Sequence, residues 1–105
     1  MNTVQISTHI ENLKRALQQQ ALWESTPPSS QALSSDQPFA YDTLEPHQWL
    51  QWVFIVRIEA LILAGQPLPT GFELSPYFEE VWKDDESKAK VLAAVSAIDK
   101  AFSSC

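Results

Sequence analysis

Cysteine is nearly absent from this sequence: the one thiol, Cys105, stands at the carboxyl end. A lone cysteine closes no intrachain disulfide and supplies no Cys-based metal cage, so the fold must be held by burial alone. Positive charge is scarce too, with 7 Lys and Arg against 13 Asp and Glu and a formal net charge of −6. Proteins that grip phosphate backbones draw their affinity from Lys and Arg, so direct binding of RNA or DNA is disfavoured while a basic partner protein is not. Glycine occurs only twice, and no GxGxxG, Walker, GxSxG or catalytic Cys–His pattern is present.

Long apolar runs are missing as well. The most hydrophobic stretch, Trp49 to Leu63, is interrupted by Gln51, Arg57 and Glu59, and it falls short of the roughly 20 apolar residues that a membrane-spanning helix needs. The amino terminus, MNTVQISTHIENLKRAL, lacks the basic and continuous apolar regions of a signal peptide, which predicts a cytoplasmic protein. His9 and His47 stand in no HExxH, HxxxH or Cys–His spacing, so neither a metal nor another cofactor is expected. Glu79, Glu80, Asp84, Asp85 and Glu86 form an acidic run without the alternating spacing and turn glycine of a calcium loop, and read as a solvated face.

What the sequence does contain is helical periodicity. Ile6, Ile10, Leu13, Leu17 and Ala21 recur at steps of four and three, opposite Glu11, Asn12, Lys14, Arg15 and Gln18 to Gln20, which predicts an amphipathic first helix capped by Asn2 or Thr3 and closed by Trp23. Residues 25–43 then form a long Pro- and Ser-rich connection, since proline removes a helix donor and clashes with the preceding turn. Leu33, Phe39 and Tyr41 should pack it down.

The second long helix is expected over residues 45–64, with Asp42 or Thr43 as cap, Pro46 in the first turn, and Gly65 and Pro67 as the stop. On a wheel of 100° per residue its apolar side chains reach nearly all round, leaving Gln48 and Glu59 as a narrow polar strip; it reads as the central helix. Ser75 as N-cap and Pro76 as first residue open a short helix through Tyr77, Phe78, Val81 and Trp82. The last helix spans Ser87 to Phe102, with Val91, Leu92, Val95, Ile98 and Phe102 at helical spacing. No period-two alternation predicts a strand. The expected fold is therefore all-α: a single domain over residues 1–105, a bundle of about four helices, three long and one short, around a central apolar helix.

Two features of the central helix bear on function. Arg57 falls almost opposite the polar strip, on a face that other helices should cover, and a buried charge must be paired. Asp42, Glu79, Glu80, Tyr41 and Tyr77 are its candidate partners; an anion site built on the planar guanidinium is the other reading. Trp49 and Trp52, three apart, lie on neighbouring parts of one helix face, either walling the core against the QPFAY loop or forming an aromatic groove. Phe39, Asp42, Trp49, Trp52 and Arg57 make up that candidate groove.

The segments QPF, DT, EP, WLQWVFIVRI, QPLP and SPYFEE, in that order over residues 37–80, resemble the YqcC-like family, small bacterial proteins of unknown function. Pro38, Phe39, Asp42, Glu45, Pro46, Trp49, Leu50, Gln51, Trp52 and Arg57 carry the resemblance. It implies an all-α domain, a cytoplasmic location, no enzymatic activity or cofactor, and a gene often beside that of a tRNA pseudouridine synthase. The expected function is a non-enzymatic helical accessory module acting through a protein partner or self-association, the link to the pseudouridine synthase included. The alternative is a small-molecule protein that holds an apolar anion between the rings and Arg57.

Overall fold

In the computed structural model, which describes residues 3–69 and 72–103, the apolar stripe of the first helix is buried as its spacing predicts. Helix α1 covers Thr3–Gln19 and buries Ile6, Ile10, Leu13 and Leu17. It stops one turn earlier than the periodicity suggests. Ala21 is exposed and takes a left-handed conformation with φ 60°, while its N–H bonds Gln18 O at 3.2 Å and the N–H of Leu22 bonds Leu17 O at 2.9 Å. This is a Schellman C-cap with alanine where glycine is usual. Leu22, rather than Ala21 or the half-exposed Trp23, continues the packing against the core. The predicted caps at Asn2 and Thr3 are untested, because Asn2 and the Thr3 side chain lie outside the described residues, as does Cys105.

The connection contains one helical turn, α2 (Ser30–Leu33), whose Ala32 N–H donates to Ser29 Oγ at 3.1 Å. It is packed down differently from the expectation. Leu33 and Tyr41 stay exposed, and the buried side chains are those of Ala40 and Leu44, with Phe39 set against the core. Asp42 and Thr43 do not cap the following helix either. Asp42 accepts from Ser35 Oγ at 2.6 Å and Thr43 Oγ1 donates to Ala32 O at 2.7 Å, so both knit the loop to itself. The cap is Glu45, in extended conformation before Pro46, and its N–H donates to Gln48 Oε1 at 2.8 Å.

One continuous rod follows: α3 (Pro46–Trp49), a π-helical segment Leu50–Ile55, and α4 (Val56–Leu63). Gly65, with φ 68°, ends it through a second Schellman pair, in which Gly65 N–H reaches Ile62 O at 3.1 Å and Gln66 N–H reaches Leu61 O at 2.9 Å. After the loop come α5 (Ser75–Val81), a 3₁₀ turn (Glu86–Lys88) and α6 (Ala89–Ser103). Helix α6 buries Val91, Val95, Ile98 and Phe102 and makes its most extensive packing with α1. Phe78 of α5 and Trp82 at its C-terminal cap, with Leu50, Phe54, Ile55 and Ile58 of the rod, complete one core. The bundle is all-α, as expected, with no strand among the described residues.

Helix α5 is capped from outside. Its N-cap residue is Leu74, not Ser75. The carboxylate of Asp99, on α6, accepts the N–H of Leu74 at 2.9 Å and of Ser75 at 2.7 Å, welding the start of one helix to the side of another. The distance of 24 residues between cap and helix hid this from local spacing.

Two stability changes are expected. Ala21→Gly relieves the left-handed alanine and should raise the unfolding free energy by about 0.5–1 kcal/mol in urea denaturation. Asp99→Ala leaves two partly buried N–H groups without an acceptor and should lower it by about 1–3 kcal/mol.

Candidate functional site

The π segment decides which side chains meet on the rod. Each i→i+5 step places an extra residue in the turn, so positions beyond it rotate relative to a continuous 3.6-residue wheel. The buried positions step by four: Leu50, Phe54 and Ile58 form one row, and Gln51 and Ile55 another. Between these rows and solvent lie Trp49, Val53 and Arg57 on one flank, and Trp52, Val56 and Ala60 on the other. Arg57 is therefore exposed, not buried. Its guanidinium makes no ion pair or hydrogen bond among the described residues, and none of Asp42, Glu79, Glu80, Tyr41 or Tyr77 reaches it. The expectation of a neutralised internal charge is overturned by the changed helical phase.

The first flank holds a groove of about 300 Å³ whose lining includes Pro38, Phe39, Trp49, Val53, Arg57, Pro69, Phe72 and Glu73. Phe39 forms its wall at a conformational cost. Its φ of 57° and ψ of 15° are left-handed, and the next residue, Ala40, has φ 48°. For a bulky L-residue this costs roughly 1–2 kcal/mol. Ring packing offsets it: Phe39 stacks on Tyr77 with centroids 4.2 Å apart and planes 2° from parallel, and meets Trp49 edge-on at 4.8 Å. Aromatic pairs in such geometries contribute about 0.5–1.5 kcal/mol each beyond area burial. Burial, and then the charge of Glu45, push the Tyr77 hydroxyl above its usual range, so it stays neutral beside the groove.

The second flank is organised by a residue that sequence reasoning passed over. Gln51 is 4% exposed, and its amide reads the backbone of Glu24 in both directions. Glu24 N–H donates to Gln51 Oε1 at 2.8 Å, and Gln51 Nε2 donates to Glu24 O at 2.7 Å. The Glu24 carboxylate in turn accepts Trp52 Nε1 at 3.1 Å and Gln48 Nε2 at 3.3 Å, and lies 3.5 Å from His47 Nε2. Burial alone would raise the Glu24 carboxyl, but the bonds from Trp52 and Gln48 and the nearby His47 outweigh it and hold it below the usual range. Lys14 reaches across from α1 to Glu59 on α4, and this hydrogen-bonded pairing raises the Lys14 ammonium above its usual value.

Of the five sequence-predicted groove residues, Phe39, Trp49 and Arg57 thus share one groove, while Trp52 belongs to the Glu24 side and Asp42 to the loop's internal bonding. Trp49 and Trp52 occupy different flanks because the π turn spreads them apart. Phe72, Glu73 and Pro69 join the groove from a loop with no periodic signal, and only their place in space reveals them. No group of three or more His, Cys, Asp or Glu among the described residues is placed to hold a metal ion, and no helix is long and apolar enough to cross a membrane.

A family model described as tRNA pseudouridine synthase C matches residues 5–101. The chain is 35% identical to YqcC of Escherichia coli over 98 residues, 92% of this chain and 90% of that protein. The chain belongs to the YqcC-like family. An uncharacterised protein of Haemophilus influenzae is 38% identical over 96 residues, 91% of each. The solution structure of E. coli YqcC superposes with a TM-score of 0.82 at 34% identity, covering 94% of this chain and 86% of that one. A third relative differs in length: a Pectobacterium carotovorum protein named tRNA pseudouridine synthase C is 30% identical over 99 residues, 94% of this chain but only 26% of that protein. The YqcC-like unit there is a minor part of a longer polypeptide.

The lowered Glu24 carboxyl carries a sign for this YqcC-like fold. A carboxylate stabilised in the folded state contributes stability above its unfolded pKa, and that stability is lost as pH falls through the lower folded value. Glu24→Gln should therefore lower stability by about 1 kcal/mol at neutral pH, with the gap to the wild type narrowing as melts are taken down toward about pH 3.

Proposed function

We propose that the chain is a cytoplasmic, non-enzymatic accessory module that works by docking onto a tRNA pseudouridine synthase. The observation that carries this reading is the Pectobacterium protein, in which a counterpart of nearly the whole chain occupies a quarter of a polypeptide named for that enzyme. Joining two units covalently raises their effective concentration to roughly millimolar, so a modest interface suffices in the joined form. Separate chains must supply that affinity through their own surfaces. The net charge of −6 suits a basic, tRNA-handling partner and makes the tRNA itself a poor direct ligand.

Use of the carboxylates points the same way. Asp99 caps α5, Glu24 docks the connection on the rod, and Glu80 pairs with Lys83 at 3.2 Å. Asp85 caps the 3₁₀ turn, where its bonds from Lys88 and Ser87 bring it down to about 2. Each has a structural task, and the carboxyls of Glu24 and Asp85 are held below the usual range rather than in the raised, protonated state that acid catalysis requires.

The groove supports a second reading, a small apolar anion held by the rings and Arg57. Quenching of tryptophan fluorescence by an aromatic carboxylate would favour it.

Titration of the purified chain into the tRNA pseudouridine synthase C of the same organism tests the leading proposal. A complex with micromolar or tighter affinity is expected by calorimetry, together with a changed rate or substrate range of tRNA modification. No complex at about 100 μM and unaltered modification would reject it.

A further inference from the structure

The groove on the Trp49 flank is lined by two charges of opposite sign, Arg57 from the rod and Glu73 from the loop before α5. Both residues are exposed, and neither charged group has an ion pair or hydrogen bond among the described residues, so they do not neutralise each other either. Between them the lining is apolar. Phe54, Ile58 and Leu74 are buried residues of its floor, and the half-buried rings of Phe39, Trp49 and Phe72 are its walls. Each wall ring is backed by another ring: Phe39 by Tyr77 with centroids 4.2 Å apart, Phe72 by Phe102 at 4.9 Å and Trp49 by Phe54 at 5.8 Å. The walls are therefore held in place from behind, and Phe39 is also fixed by its left-handed backbone.

We infer that this groove binds a small zwitterion with an aromatic body, the class of a free aromatic amino acid. The ring lies between Phe39, Trp49 and Phe72, the carboxylate meets the Arg57 guanidinium, and the ammonium meets the Glu73 carboxylate. Three features favour this occupant. A volume of about 300 Å³ is that of roughly ten waters of the bulk liquid, which suits a molecule of roughly ten to fifteen non-hydrogen atoms and not a docked helix. Walls of aromatic rings add edge-on and offset-stacked contacts for an aromatic guest beyond its burial, and rings already fixed lose little entropy on binding. The charges discriminate: a simple anion gains Arg57 but meets the like charge of Glu73, a simple cation does the reverse, and only a zwitterion satisfies both. The inference is independent of docking on the synthase, and it narrows the second reading above from an apolar anion to an apolar zwitterion.

The test titrates the purified full chain with phenylalanine, with phenylpropanoate, which lacks the ammonium, and with phenylethylamine, which lacks the carboxylate. Calorimetry should give phenylalanine a Kd of about 1 mM or tighter, with each truncated probe weaker by about ten-fold or more. Over the same concentrations the indole N–H resonance of Trp49, identified by its loss in Trp49→Phe, should shift while that of Trp23, which lines a different pocket, stays in place. Arg57→Gln and Glu73→Gln change exposed side chains, and circular dichroism verifies their folding. Arg57→Gln should weaken phenylalanine about ten-fold and leave phenylethylamine unchanged, whereas Glu73→Gln should weaken phenylalanine and leave phenylpropanoate unchanged or tighter, a crossed pattern that loss of structure would not give. No binding of phenylalanine at about 10 mM, or binding that leaves the Trp49 resonance unmoved, overturns the inference. Phenylpropanoate bound as tightly as phenylalanine overturns it too and leaves the anion reading standing, and phenylethylamine bound as tightly removes both. None of these results bears on the synthase, whose own titration decides that proposal.

Discussion

The placement of side chains around this molecule depends on six residues, Leu50 to Ile55, that wind as a π-helix inside the central rod. A wider turn there makes the buried positions repeat every four residues, and it brings Gln51 rather than an aliphatic side chain into the interior. A buried amide needs partners, because each unsatisfied polar group costs about 1–3 kcal/mol. Gln51 finds them in the backbone of Glu24. The π turn thus fixes both the tilt of the core and the path of the connection that follows α1. π turns occur often at functional sites, and here the same turn separates a Trp49 flank lined by Phe39 and Arg57 from a Trp52 flank hydrogen-bonded to Glu24.

Polar contacts between elements distant in sequence tie the helices into one arrangement. Glu24 links the end of α1 to the rod, Lys14 and Glu59 link α1 to α4, and Asp99 links α6 to the start of α5. Apolar burial supplies most of the favourable free energy, but it is nearly indifferent to small rotations of one helix on another. The directional bonds select among those rotations. The partners of Glu24 and Asp99 include an indole N–H, a buried amide and backbone N–H groups, which a slip would leave unsatisfied.

The two flanks of the rod have opposite characters, and that asymmetry bears on function. On the Trp52 side the Glu24 carboxylate and backbone gather Trp52, Gln48 and Gln51, and Lys14 pairs with Glu59. On the Trp49 side a strained Phe39 and an Arg57 guanidinium without an ion pair among the described residues border the groove.

The amino-acid sequence by itself determined the helical class, the buried stripes of α1 and α6, the termination at Gly65, and membership of the family through residues 37–80. These are readable because apolar periodicity, proline exclusion and the left-handed preference of glycine act over a few neighbouring residues. Only the tertiary structure decided that Arg57 faces solvent, that Ala21 rather than a glycine closes α1, that Asp99 caps a helix 24 residues away, and that Trp49 and Trp52 part company. A wheel drawn at constant pitch has no place for a π turn, whose extra residue is favoured by the packing and bonds it permits far along the chain. Long-range caps and changes of helical phase are properties of how elements meet, and no local pattern of residues records them.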